Sequence, residues 1–185
     1  SDLDPLKDEK VSLHTLLKSL NAVNETITPM AVPDRKQLFI DKFAVLETND
    51  PLAKLVVFTF VSSIINNIIS HPEDENLRLL RLTHPTVFEE VVQFPHALEV
   101  FVAMGFSIIH KAPTSKSMEW SESILKYLGE AENQDKVECR LLALCHTLTY
   151  EPYLCMKEPS VDSGDTTQWI TWFDSLSAIR DVCNA

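Results

Sequence analysis

The fold is decided by residues 52–106, which read LAKLVVFTFVSSIINNIISHPEDENLRLLRLTHPTVFEEVVQFPHALEVFVAMGF. Asp50 and Pro51 come just before this stretch and favour a helix start, because aspartate caps a first turn and proline suits the first helical position. The apolar residues that follow recur at helical spacing: Leu52, Leu55, Val56, Phe60, Ile64 and Ile68. We predict a long helix that ends near Ser70, since the residue before Pro72 disfavours helical conformation.

The second half of this stretch predicts shorter elements. We expect a helical turn over Glu73–Leu77 and an extended segment over Arg78–Leu82. Thr86 followed by Glu89 is a capping-box pattern, which predicts a short helix over Val87–Val92.

Short elements continue towards residue 131. Pro95 begins another helix, and Gly105 ends it. Ser107–His110 and Met118–Trp120 are candidate short strands. A helix over Ser121–Ala131 follows, and its inward residues are Ile124, Leu125 and Leu128.

The N-terminal part predicts two helices separated by a loop. Residues 5–23 are amphipathic, with the apolar positions Val11, Leu13, Leu16, Leu17, Leu20 and Val23. Asn24–Val32 reads as a loop. Pro33 begins the second helix, whose inward residues are Leu38, Phe39, Phe43 and Leu46. We expect both helices to pack on the central unit; the alternative is a separate partner-binding hairpin.

The C-terminal part predicts two further helices. Asn133 is a candidate cap for a helix over Asp135–Thr149, with the apolar face Val137, Leu141, Leu144, Cys145 and Leu148. Tyr150–Asp165 contains two prolines and a Ser-Gly-Asp turn, so we expect an exposed loop. The last helix has the stripe Trp169, Trp172, Phe173, Leu176, Ile179 and Val182. Two tryptophans on one helical face favour core packing over a ligand site.

Composition favours a folded helical protein. The chain has 185 residues and is 45% hydrophobic, which is enough for a core. Its 3 glycines and 10 prolines favour helices over a hairpin-rich β fold. We see no apolar run long enough to span a bilayer and no signal peptide in the charged N-terminus. The net charge of −11 disfavours nucleic acid and anionic membranes as partners.

The reactive side chains do not form a recognisable catalytic or metal motif. Cys139, Cys145, Cys155 and Cys183 are expected to be buried thiols in a reducing compartment, with a zinc site that includes His146 as the alternative. Cys145 and His146 are neighbours, so on a helix their side chains point about 100° apart, which does not suit a nucleophile and its base. The sequence therefore predicts no catalytic residue, metal or cofactor.

The central stretch resembles a PUB domain, the peptide-binding module of cytoplasmic peptide N-glycanases and other ubiquitin-pathway proteins. The matching residues are Ile64, Asn67, Ile68, Ile69, Pro72, Arg78, Arg81, Leu82, Phe88, Pro95, Ala97, Leu98, Glu99, Met104, Gly105 and Phe106. The resemblance covers about residues 52–130. The glycanases have a separate catalytic core that this chain lacks, so we expect any enzyme activity of a parent protein to lie outside it.

The resemblance implies a mainly α (α+β) fold, namely a compact helical domain with a small β-sheet. We divide the chain into an N-terminal helical extension at 1–50, a PUB-like domain at 51–132 and a C-terminal helical extension at 133–185. We expect both extensions to belong to the same globular unit.

The resemblance also implies a binding site, because PUB domains dock short acidic C-terminal tails in a pocket between the long helix and the extended segment. By the match, Asn67 bonds the peptide backbone and Arg81 meets the acidic tail, with Arg78 as the second basic position. Val87 and Phe88 form the apolar wall. The alternative is that Asn67 only solvates its helix and that the arginines pair with nearby surface acids, Glu73, Asp74 or Glu75.

Two positions differ from the family pattern. Ile64 stands where the family commonly has an aromatic residue. The loop Thr83–Phe88 lacks the family's asparagine, so His84 or Thr83 is the candidate replacement. The predicted peptide site is therefore Ile64, Asn67, Arg78, Arg81, His84, Val87 and Phe88.

The functional hypothesis is a monomeric, non-catalytic adaptor in the cytoplasm or nucleus. Its expected partner is the C-terminal tail of a valosin-containing-protein-type AAA ATPase, with other ubiquitin-pathway proteins as further candidates. We expect no nucleic-acid binding and no membrane insertion. The alternative is a structural or dimerising helical domain with an inactive pocket, in which Trp169, Trp172 and Phe173 pair with another chain. A third hypothesis is an enzyme that uses Cys145 or Cys155.

Overall fold

The computed structural model describes residues 4–25, 28–112 and 120–185. The helices and strands run in the order α1 (Lys7–Leu20), α2 (Val32–Asn49), α3 (Pro51–Ser70), β1 (Leu79–Arg81), α4 (Pro85–Val87), α5 (Ala97–Met104), β2 (Ser107–Lys111), α6 (Glu122–Gly129), α7 (Val137–Thr147), β3 (Glu151–Cys155) and α8 (Thr167–Asn184). A 3-10 turn at Glu75–Arg78 leads directly into β1, and a π-helical turn at Phe88–Val92 continues α4. The predicted mainly α (α+β) class is confirmed.

The long helix α3 has the predicted ends but not the predicted inner face. The Asp50 carboxylate accepts hydrogen bonds from the backbone N–H groups of Leu52 and Ala53, each at 3.1 Å, and so caps the first turn. The residues that are fully buried are Ala53, Val57, Val61, Ile65 and Ile68. Leu52 and Leu55 are 77% and 62% exposed, so the predicted stripe was wrong in phase.

The reason is that the apolar residues of α3 are distributed over most of its circumference, so the periodicity of its sequence does not select one buried face. Packing against α2 and α8 selects the Ala53 side. By length and composition alone, α3 could also cross a membrane, so the prediction that no apolar run is long enough to span a bilayer was wrong. In this structure its five buried residues belong to the hydrophobic core.

The three strands form an antiparallel sheet in the order β1-β3-β2. The central strand β3 occupies a segment for which the sequence predicted an exposed loop, and that prediction was wrong. Pro152 is tolerated in a central strand because it lies where the β1–β3 ladder ends, just beyond the pair Arg81–Tyr153. Its carbonyl still accepts the Leu82 N–H at 3.0 Å, and its nitrogen, which faces the same side, is not required to donate. The candidate strand at Met118–Trp120 lies mostly outside the described residues, and Trp120 itself is not in a strand.

The N-terminal and C-terminal helices complete the core. α2 packs on α5 and α8, α8 also packs on α3, and α1 packs on α7. The predicted inward residues Phe39, Phe43 and Leu46 are buried, as are Leu176 and Ile179. Val11 and Val23 are exposed, contrary to the prediction for the first helix, which is shorter than expected.

Several helix starts differ from those predicted. His84, and not Thr86, caps α4, because its Nδ1 accepts the Thr86 N–H at 3.2 Å. α5 begins after His96, whose left-handed φ of 74° follows Pro95, and it ends at Gly105 as expected, where φ is 113°. α7 begins at Val137, and the predicted cap Asn133 is instead buried, donating to the Tyr127 carbonyl at 2.9 Å.

Candidate functional site

A groove of about 580 Å³ lies between α3 and β1. The residues that line it are Phe60, Leu79, Leu80, Arg81, His84, Thr86, Val87 and Tyr153. Phe60 comes from the middle of α3, and the next residues come from β1 and the start of α4. Tyr153 comes from β3, so both strands of the β1–β3 pair contribute residues to the groove.

Arg81 and Tyr153 are neighbouring residues of the groove lining. They are paired residues in the β1–β3 ladder, so their side chains project from the same face of the sheet. The Lys111 ammonium lies 5.1 Å from the centroid of the Tyr153 ring, which places a second cation next to this pair of residues. The groove lining that the structure describes contains no carboxylate. Arg81 is the charged arginine of the described lining, whereas Lys111 pairs with the buried Glu151 across the β2–β3 ladder.

Three of the seven predicted site residues line the groove: Arg81, His84 and Val87. The His84 imidazole is fixed by its role as the α4 cap, and this orients it at the groove edge. Val87 is buried and provides an apolar part of the wall.

Ile64 and Asn67 lie on α3 one and two turns beyond Phe60, at spacings that put all three on one side of the helix. Ile64 is half-buried and Asn67 is exposed. Neither of the two lines the groove. A ligand longer than the groove would reach them by extending along α3.

Phe88 is buried behind the groove wall. Its ring packs edge to face on Tyr127, with ring centroids 5.3 Å apart. Burial raises the pKa of Tyr127 strongly, and the Tyr127 hydroxyl donates to the Gln93 carbonyl at 3.2 Å. Phe88 therefore supports the α4 segment from inside the core.

Arg78 lies in the interior and not in the groove. It is only 7% exposed, and its Nη1 donates to the Met156 carbonyl at 2.7 Å. The Met156 N–H in turn donates to the Arg78 carbonyl at 2.9 Å. Arg78 thus ties the end of β3 to the start of β1, while Arg81 is left as the arginine at the groove.

Sequence reasoning missed Tyr153 as a groove residue because its segment was taken for a loop. The signal available in the sequence was the short, continuous and mostly apolar run Pro152–Met156, which is consistent with a buried strand. Tyr153 supplies an aromatic ring to the groove, whereas the family commonly has one at the position of Ile64.

The expected burial of the thiols holds for three of the four cysteines, and Cys155 is half-buried. Cys139, Cys145 and Cys183 are buried, and all four thiols are free. Burial raises the pKa of Cys145 to about 12 and that of Cys183 to about 11, so neither forms a thiolate at neutral pH. In the part of the chain that the structure describes, no group of three or more His, Cys, Asp or Glu side chains could hold a metal ion.

The comparisons with known proteins agree with the central part of this fold. The PUB domain family model matches residues 53–138, which confirms the resemblance predicted from the sequence. PUB domains are protein-interaction modules and not catalytic domains. The match covers α3, β1 and the α4 segment but ends before β3. No curated protein and no solved structure matches the chain.

Proposed function

We propose that the PUB domain at residues 53–138 docks the acidic C-terminal tail of a valosin-containing-protein-type AAA ATPase. In this role the chain is a non-catalytic adaptor of the ubiquitin–proteasome or ER-associated degradation pathway. The observation that supports the proposal best is the groove between α3 and β1, whose lining combines apolar side chains with the cation of Arg81. Apolar tail side chains fit against Phe60 and Val87, and an acidic group fits next to Arg81.

The size and charge of the groove favour a short peptide of modest affinity. A volume of about 580 Å³ accommodates a few side chains. The groove is open, so the charge contact is partly screened by solvent and salt. We expect micromolar affinity, which corresponds to about −8 kcal/mol.

The direct test is a calorimetric titration of the full chain with the ATPase tail peptide. The matched control peptide has the same composition in scrambled order, so it keeps the net charge while losing the order of apolar and acidic side chains. We expect heat with the tail peptide and none with the scrambled one. No heat with either peptide at high concentration, or equal heat with both, would rule out the proposal.

The cytoplasm, with the nucleus, is the compartment in which this adaptor would work. Four free thiols support a reducing environment. Other ubiquitin-pathway proteins with acidic tails are further candidate partners of the same groove. Amide chemical shifts of Leu79, Arg81 and Tyr153 during a titration would show whether a second tail uses these residues.

A dimerising domain is the alternative function, and one observation favours it. Leu52 and Leu55 form an exposed apolar surface on the first turns of α3. The aromatic cluster first considered for dimerisation is half-buried: Trp169 stacks on Phe173 at 5.1 Å and donates to the Glu158 carboxylate at 3.0 Å. Light scattering decides between the two functions, since a monomer at all concentrations contradicts dimerisation.

A further inference from the structure

A second cavity lies away from the groove, between the segment before α2, the end of α5, the sheet and α8. Its volume is about 450 Å³, within the range of small-molecule sites. It shares no lining residue with the groove. Most of its polar lining, including Arg35, Lys157 and Trp172, comes from outside the PUB match.

Arg35 is the buried cation of this cavity. Its side chain is only 9% exposed, and its Nη1 donates to the carbonyls of Ala103 at 3.0 Å and Val102 at 3.4 Å. These carbonyls belong to the C-terminal turn of α5, where a cation is favourable. Burial lowers the pKa of Arg35, but an arginine remains charged at neutral pH. No acidic side chain among the described residues pairs with Arg35, so its charge is offset only by carbonyl dipoles.

Two other polar groups of the cavity lining are buried without a partner. The Trp172 indole Nε1 donates no hydrogen bond, and the Asn24 Oδ1 accepts none. The Asn24 amide is nevertheless held firmly, because its Nδ2 donates to the Val102 and Phe106 carbonyls at 2.8 Å each. A buried donor and a buried acceptor left unsatisfied are costly, unless a ligand or water bonds them.

The remaining lining separates into a cationic part and an apolar part. Lys157 adds a second positive charge, and the described lining contains no Asp or Glu. The apolar residues of the lining are Pro29, Met30, Met104, Ile109 and Pro159. In a chain with a net charge of −11, a cavity with two cations and no acid is a local exception.

We infer that this cavity binds a small amphipathic carboxylate that also carries a hydrogen-bond donor. The carboxylate faces the Arg35 guanidinium, whose planar fork suits two carboxylate oxygens, and it accepts the Trp172 indole N–H. The donor group of the ligand donates a hydrogen bond to the Asn24 Oδ1. The apolar part of the ligand packs against Met30 and Met104. The apolar lining disfavours a dianion such as inorganic phosphate, because a dianion loses more hydration on burial.

The test uses N-acetyl-L-leucine, which has a carboxylate, an amide N–H and an apolar side chain. The matched neutral probe is N-acetyl-L-leucine amide. We expect the acid, at millimolar concentration, to move the Trp172 indole proton downfield in NMR spectra and to shift the Gly105 and Ser107 amides. We expect the neutral amide to leave the indole proton in place.

Two variants test where the probe binds. Arg35 is left unchanged, because its hydrogen bonds to α5 mean that replacing it would also affect folding. Trp172→Phe keeps an aromatic ring and removes the N–H, so it should weaken binding roughly tenfold. The affinity of this variant is measured from the chemical shift of the Gly105 amide. Lys157→Gln removes an exposed charge and should weaken binding roughly two- to fivefold. Lys126→Gln, on α6 and away from the cavity, should change nothing.

Three results would overturn the inference. The first is no shift of the indole or of either amide at saturating probe concentration. The second is an equal shift with the acid and its neutral amide, since charge recognition is then absent. The third is a shift of the Trp172 indole by inorganic phosphate but not by the carboxylate, which would assign a different ligand class. None of these results bears on tail docking, because the groove and the cavity are separate.

Discussion

Arg81 and Tyr153 lie opposite one another in the β1–β3 ladder, and both side chains line the groove between α3 and β1. The cation and the aromatic ring are therefore held by paired backbones rather than by a loop. A site built on a ladder keeps its geometry when the ligand leaves, which lowers the ordering cost of binding.

Replacing Arg81 should weaken tail binding while leaving stability almost unchanged. Arg81→Ala removes a charge-assisted contact at a half-buried position, which costs roughly 1–3 kcal/mol, or about ten- to hundredfold in affinity. Arg81→Glu should be worse because it adds repulsion. Calorimetry measures the affinity, and the exposed Arg140→Ala variant on α7 is the control. Arg81→Ala that unfolds the domain, with binding insensitive to salt, would instead show a structural arginine.

Tyr153 should contribute to binding through its ring and not through its hydroxyl. Tyr153→Ala removes an aromatic wall and should reduce affinity roughly tenfold, whereas Tyr153→Phe should bind nearly as well as the original protein. Tyr150→Ala is the matched control, since Tyr150 stacks on His110 at 4.5 Å outside the groove. Equal loss of affinity from both alanine variants would point to a general effect on the sheet.

The buried face of α3 is tested by two substitutions on the same helix. Ile65→Ala opens a cavity at a fully buried position and should lower the free energy of unfolding by about 2–5 kcal/mol. Leu55→Ala, at a position that is 62% exposed, should change it by less than about 0.5 kcal/mol. Urea denaturation measures both values. Similar costs at the two positions would mean that the exposed side of α3 is covered in solution.

The pH dependence of stability should change in the Glu138→Gln variant. Burial raises the pKa of Glu138 above its ordinary value of 4.5, even though its carboxylate accepts the His96 N–H at 3.4 Å. The charged carboxylate therefore costs stability above the folded-state pKa, and this cost is absent below pH 4.5, where the group is protonated in both states. Glu138→Gln should stabilise the protein at pH 7.5 and have little effect at pH 4. Denaturant midpoints at both values measure this, and an equal gain at both would contradict the assignment.

A fragment with the bounds of the family match should not fold. Residues 53–138 lack β3, so β1 and β2 lose the strand that both of them pair with. The fragment also loses Leu154 and Met156, which are almost fully buried. We expect poor dispersion in its NMR spectrum, compared with the full chain. A well-dispersed spectrum that still shows tail binding would show that β3 is dispensable.

Local signals predicted much of this structure. Asp50-Pro51 and His71-Pro72 act within one helical turn, so the ends of α3 followed from sequence alone. Gly105 likewise ended α5, since few other residues adopt a φ of 113° at low cost. Arg81 was predicted from the family pattern and His84 as a candidate replacement for the family's asparagine, and both line the groove.

The features that sequence did not predict depend on distant contacts. The inner side of α3 is chosen by α2 and α8, not by its own periodicity. Pro152 argued against a central strand in the sequence. A proline is acceptable there only because the ladder with β1 ends at this position, which the sequence does not reveal. Arg78 and Arg81 look equivalent in the sequence. In the structure Arg78 is buried, and its guanidinium donates to the Met156 carbonyl, a contact between residues that are 78 positions apart.

The position of β3 in the chain also sets when the protein can first bind a ligand. During synthesis, β1 and β2 leave the ribosome well before β3, the strand that pairs with both of them. Until residues 151–155 emerge and insert between β1 and β2, a nascent chain has neither the Tyr153 wall nor the paired backbone that holds Arg81. A nascent chain that ends before residue 151 therefore lacks the complete groove between α3 and β1.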